Sequence, residues 1–141
     1  MVKDIKITQG STFEMLALIN DVNGAPLDMT GYLGGTAGAR GMYRKNYTDT
    51  TPLETFNISI LNKTGVLNAI SVGTCHITTA EIDALQPDTA GKCYLLIRLT
   101  AVETAALTKG TGVYDIEVED FTGFVFKPFT GAVTVGAEAT R

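Results

Sequence analysis

The chain has 141 residues, 45% of them hydrophobic and only 18% charged, with a formal net charge of −4. That length suits one domain over residues 1–141, able to bury a core without metal or disulfide staples. Eleven scattered Lys and Arg make no basic stripe for nucleic acid, no apolar run nears the ~20 residues that span a bilayer, and residues 1–8 alternate polar and apolar instead of forming a secretion signal.

Taken in chain order, period-two alternation dominates. Ile5 and Ile7 share one face of a first strand, and residues 12–22 form a second that is apolar on both faces, with Phe13, Met15, Ala17 and Ile19 on one and Leu16 and Leu18 on the other. Such a strand is central or covered on its outer side. Asn23 and Gly24 give a hairpin signal. The stretch 31–41 is too rich in glycine to pack well as a strand. Strands are expected at 42–45 and 53–61, around a polar turn at 46–52, and short ones at 66–71 and 75–78. Thr78 with Glu81 and Thr100 with Glu103 match the capping box, predicting short helices over 80–86, stopped by Pro87, and 101–108.

The last third has the clearest pattern. Tyr114, Ile116 and Val118 point inward, with Asp115, Glu117 and Glu119 facing water. The chain turns at 120–123, returns through Phe124 and Phe126, breaks at Thr130 and Gly131, and closes with 132–135. Many short strands with turns every 8–12 residues predict an all-β sandwich or barrel, of which an immunoglobulin-like antiparallel β-sandwich with one or two short helical turns is favoured. A capped turn followed by Gly112 and Tyr114 fits the corner before strand F of that sandwich, where a Tyr hydroxyl is satisfied by nearby backbone.

The residues offer little chemistry. Cys75 and His76 could be nucleophile and base, but adjacent strand residues point to opposite faces. Two Cys and one His without paired spacing make no zinc site. In a reducing compartment Cys75 and Cys93 are expected to be small buried hydrophobes, and the glycosylation triplets at Asn46, Asn57 and Asn62 carry no weight without secretion. The glycine run lacks both phosphate-loop patterns. Asp115, Glu117 and Glu119 could serve calcium or a glycosidase pair, yet read as a solvated outer face. No catalytic residue, cofactor site or metal site is expected.

Several segments nevertheless carry a resemblance: 99–107, 112–118, 121–126, 131–135 and the closing Ala139, Thr140 and Arg141, with 7–13 and 21–31 in the N-terminal part. Together they resemble a tailed-bacteriophage virion accessory domain, of the type found at the N-terminus of upper baseplate proteins and in related small neck, tail and head proteins. Residues 75–92 have no counterpart in that type. The resemblance implies a β-sandwich, assembled in the host cytoplasm into the virion, that binds copies of itself and other virion proteins and neither nucleic acid nor membrane. It implies a neck, tail or baseplate fibre-anchoring adaptor, or a capsid decoration protein. The candidate interface comprises an edge strand at 2–9 carrying Ile5 and Ile7, and the aromatics Tyr43, Tyr47 and Phe121. The alternative is a carbohydrate-binding sandwich, with Tyr32, Tyr43 and Tyr47 replacing the missing Trp.

Overall fold

The computed structural model describes residues 3–21, 23–30, 32, 38–77, 79–84 and 91–137. Within them lie eight strands: β1 (Ile5–Thr8), β2 (Phe13–Leu18), β3 (Ala39–Arg44), β4 (Glu54–Thr55), β5 (Asn57–Leu61), β6 (Tyr94–Leu99), β7 (Gly110–Glu119) and β8 (Val125–Gly136). Three helices accompany them: α1 (Lys63–Ser71), α2 (Thr79–Ala84) and α3 (Ala101–Ala105). One sheet has the order β1-β8-β7-β3-β4, the other β2-β6-β5. This is an all-β sandwich. Strands β2, β6 and β5 take the places of B, E and D in a variable-type immunoglobulin domain, and β8, β7, β3 and β4 those of G, F, C and C′. The fold is not wholly antiparallel, because β1 runs parallel to β8, Ile5 opposite Val133 and Ile7 opposite Val135.

Alternation explains the main core. Ile5 and Ile7 from β1, Tyr114, Ile116 and Val118 from β7, and Val133 and Val135 from β8 meet Met15 and Ala17 of β2 and Leu95, Ile97 and Leu99 of β6. Phe56 bridges the two sheets. Its ring lies 6.2 Å from that of Phe13 and 6.0 Å from Tyr114, edge-on to the latter. Here the expected single strand over 53–61 divides: β4 pairs with β3 while β5 pairs with β6 in the other sheet. Burial of Phe56 at the crossing, its N–H bonded to the Gly41 carbonyl at 2.9 Å, fixes the switch.

The two-sided strand has a specific cause. Leu16, Tyr94 and Leu96 face away from the main core into a second buried cluster with Val66, Cys75, Ile77 and Ile82. The cover is helical, where the alternation of 66–71 predicted a strand. Asn62 Oδ1 accepts the Gly65 N–H at 2.7 Å and starts α1, and the 3.6-residue period puts Val66, Ala69 and Ile70 on its buried side. Residues 75–77 form no strand. They are tied to β2 by the His76 N–H, which donates to Glu14 Oε1 at 3.0 Å. The Thr78 cap, the helical reach to 86, the stop at Pro87, the glycine stretch 33–37 and the terminal 139–141 lie outside the described residues. Among the described residues no helix is long and apolar enough to cross a membrane.

Around α3 the capping box forms as expected. Thr100 Oγ1 accepts the Glu103 N–H at 3.1 Å, and Glu103 Oε1 accepts the Thr100 N–H at 2.8 Å. These bonds to Thr100, with one from the Asn57 amide, hold the Glu103 carboxyl below its ordinary value. The helix stops at Ala105 instead of 108, and the buried Thr104 hydroxyl donates to the Ser11 carbonyl at 2.8 Å. Tyr114 lies in the middle of the central β7, which starts at Gly110, and its hydroxyl donates to the carbonyl of Lys3, 111 positions away in sequence, not to the preceding corner. Burial, with the Asp4 and Tyr47 charges adding, pushes its pKa up to about 12, so this hydroxyl remains a donor throughout the physiological range. Gly131 does not break β8, which continues to Gly136. A Cβ at Gly131 would land on the Lys3 carbonyl, far inside van der Waals contact. Glycine there admits the N-terminal segment, whose Lys3 N–H bonds to the Thr130 carbonyl at 2.8 Å.

Candidate functional site

The β7–β8 hairpin is built around Asp120. Its Oδ1 accepts the Thr122 hydroxyl at 2.6 Å and the N–H groups of Thr122 at 2.8 Å and Phe124 at 3.0 Å. These bonds, the Thr122 hydroxyl foremost, hold its carboxyl below the ordinary value. Gly123, at φ 89°, closes the turn, a conformation that glycine adopts without steric cost. A turn so braced presents apolar side chains to water instead of folding them away: Phe121 is 72% exposed, Phe124 64% and Val125 43%. The rings of Phe124 and Phe126 lie 6.3 Å apart.

The β2–β3 connection lies beside this hairpin. Asp21 Oδ1 accepts the N–H groups of Asn23 at 2.8 Å and Ala25 at 3.1 Å, making the turn expected at Asn23 and Gly24. The Leu27 N–H bonds back to the Ile19 carbonyl at 2.8 Å. Asp28 Oδ1 accepts the Thr30 hydroxyl and the N–H groups of Thr30 and Lys92, which lower its pKa in that order. Between the two loops lies a groove of about 370 Å³, floored by Leu27, Tyr32, Phe124 and Phe126 and edged by Asn20, Asp21 and Asp120. Burial raises the Tyr32 pKa, and the charges of Asp120 and Asp28 raise it further. A smaller hollow of about 130 Å³ adjoins it, sharing Asn20 and Phe126. In a variable domain the corresponding B–C and F–G loops form the recognition end.

This groove has the size of a small ligand site. Its polar groups are the carboxylates of Asp21 and Asp120, the Asn20 amide and the Tyr32 hydroxyl. Asp21 and Asp120 are already bonded to backbone amides, and no imidazole or thiol stands among the lining residues. The arrangement can bind apolar, aromatic or cationic groups.

Elsewhere the candidates separate. Cys75 is buried at 1% exposure, its thiol pKa raised chiefly by desolvation, whereas the His76 side chain is 75% exposed, its Nδ1 3.6 Å from Glu14 Oε1. Asp115 corrects the reading of a fully solvated face, being 6% exposed. Lys127 approaches it at 3.0 Å and Arg44 at 3.6 Å. Arg40 pairs with Glu117 at 3.1 Å and Glu119 at 3.2 Å. All three carboxylates considered for calcium or glycoside chemistry therefore face cations on neighbouring strands. Among the described residues no group of three or more His, Cys, Asp or Glu could hold a metal ion.

Of the predicted interface residues, Ile5, Ile7 and Tyr43 belong to the core. Strand β1 does lie at a sheet edge, but its isoleucines point inward. Tyr47 is 56% exposed in the loop 45–53. Strand β3 pairs Ala39 with Val118 and Arg44 with Val113, so this loop lies at the end of the sandwich opposite Phe121. Tyr32, Tyr43 and Tyr47 accordingly form no common platform. Sequence pattern does not single out the groove residues Asp21, Leu27, Asp120, Phe124 and Phe126, because the two phenylalanines occupy ordinary strand positions. The usable signal was the sequence 120–123, whose turn exposes what flanks it. The chain matches no protein-family model and no curated protein.

Proposed function

We propose that this chain is a phage virion structural protein, an assembly and attachment module that joins virion components through protein–protein contacts made at its β7–β8 end. The observation that carries the reading is the braced hairpin holding Phe121, Phe124 and Val125 in water beside an apolar groove. Exposed aromatic side chains on a rigid support are the usual anchors of protein interfaces, and preorganised loops lose little entropy on docking. The resemblance of 99–107, 112–118, 121–126 and 131–135 to virion accessory domains supports the choice of partner. A head, neck or tail location fits the reading equally.

A saccharide-binding reading draws on the same groove, where Phe124 and Phe126, with rings inclined by 31°, and the acceptors of Asn20, Asp21 and Asp120 could hold a sugar. One pair of proteins separates the two. Wild type and the double variant Phe121→Ser, Phe124→Ser are co-expressed with each head, neck and tail protein of the phage that encodes the chain, and both are applied to a glycan array. The expected result is a stable complex with at least one virion protein, weakened tenfold or more in the variant, about 1.4 kcal/mol, and no glycan signal. A wild-type protein that stays monomeric and binds none of them sinks the proposal. Glycan binding abolished by the variant transfers the site to the saccharide reading.

A further inference from the structure

We infer that the groove receives a second copy of this chain, head to tail: Lys45 and Tyr47 in the β3–β4 loop of one copy seat in the groove between the β2–β3 and β7–β8 loops of the next. The inference rests on the assembly reading and names one partner and the surfaces it uses.

Three observations carry it. The first is placement. The β3–β7 register sets residues 45–53 at one end of the sandwich and the groove at the other, so the two features lie too far apart to meet within one molecule. The second is shape. Tyr47 is 56% exposed and Leu53 54%, on a loop braced by Asp49, whose Oδ2 accepts the Asn46 N–H at 3.1 Å, and by the Leu53 N–H on the Tyr43 carbonyl at 2.7 Å. A groove of about 370 Å³ is in the range that admits drug-sized molecules, larger than one tyrosine side chain.

The third is charge. The groove edge carries the carboxylates of Asp21 and Asp120, and its floor offers the rings of Tyr32, Phe124 and Phe126. The loop presents an exposed ammonium at Lys45 two residues from an exposed phenol. An ammonium next to an aromatic side chain complements a pocket of carboxylates and rings, through ion pairing and cation–π attraction. Asp49 on the loop accepts one backbone N–H, from Asn46, just as Asp21 and Asp120 accept theirs. All three keep their charge, so the attraction rests on the Lys45 ammonium meeting the two groove carboxylates, with Asp49 four residues further along the loop. Because loop and groove are different surfaces, the contact is heterologous, and repetition builds a ring or an open filament.

The test uses two variants at exposed positions, which leave the core intact: a loop variant, Lys45→Glu with Tyr47→Glu, and a groove variant, Phe124→Glu. Circular dichroism establishes that each folds, and sedimentation velocity across a concentration series reads assembly. Wild type is expected to form species larger than a monomer, and each variant alone to lose them. An equimolar mixture of the two variants is expected to give dimers and nothing larger, since each retains one working surface and only one pairing remains. Wild type that is monomeric throughout, variants that assemble like wild type, or a mixture that stays monomeric each overturns the inference. Monomeric wild type that still binds a head, neck or tail protein leaves the assembly reading standing. Oligomers that bind no virion protein keep the contact between copies and remove the attachment to other virion components.

Discussion

Replacing Leu96 with alanine is expected to lower the unfolding free energy by about 3 kcal/mol, within the range for deleting a buried leucine side chain. The residue lies on the face of β6 that points away from the partner sheet, opposite Leu16 in register. In a two-layer sandwich that face meets water and the change would cost little. Here Leu96 is 4% exposed, in a cluster with Val66 of α1 and Ile82 of α2, so truncation opens a cavity beneath a helical layer. Urea unfolding checks this through a lower midpoint at unchanged slope. A loss below about 0.5 kcal/mol, the scale of ordinary surface substitutions, would mean that α1 and α2 do not cover the sheet.

A comparable loss is expected for Gly131→Ala, although it adds one methyl group to a residue in a long strand. That methyl has no room beside the Lys3 carbonyl. Overpacking of this kind costs roughly 1–3 kcal/mol. The clash also pushes away the segment whose Lys3 N–H bonds to Thr130 and whose carbonyl accepts from Tyr114, at about 1 kcal/mol for each bond. Hydrogen exchange should show protection lost at residues 5–8 while β7 and the rest of β8 retain theirs. Unchanged stability with full protection of β1 would show that the N-terminal segment does not run over Gly131.

Both substitutions fall where the residues spoke unequally. The inward face of β7 was legible, because Tyr114, Ile116 and Val118 alternate with acidic residues. The cover over β2 was legible as a need, from Leu16 and Leu18 opposite Met15 and Ala17. Its nature was not, since Val66 and Ile70 satisfy a two-residue period as well as a helical one, and only the Asn62 cap breaks the tie. The change of sheet at Phe56 and the parallel pairing of β1 depend on contacts between segments far apart in sequence, which local patterns do not encode. Asp115 read as exposed because periodicity assigns a face, not a depth. Arg44 and Lys127, on the neighbouring strands, bury it.

The end of the sandwich that carries the groove is its least legible part. Asp21 and Asp120 stand 99 positions apart and line one groove only because β2 and β7 end on the same side of the sandwich. The turn at 120–123 marks Phe121 as exposed, while the alternation around Phe124 fits an ordinary strand position, so local pattern does not reveal the groove between the two loops. Tyr43 and Tyr47 looked equivalent in sequence. Position in the pairing separates them, placing Tyr43 in the core and Tyr47 on the loop that follows β3.

The account stands on the claim that this sandwich is a component of an assembled particle. Phage particles purified from the strain that carries the gene, washed free of unassembled protein and quantified by peptide mass spectrometry, test that claim directly. The expected result is the chain present at a fixed ratio to the major capsid or tail protein, and lost from particles made with the Phe121→Ser, Phe124→Ser variant. Particles that are complete and infectious without the chain in any measurable amount would contradict it.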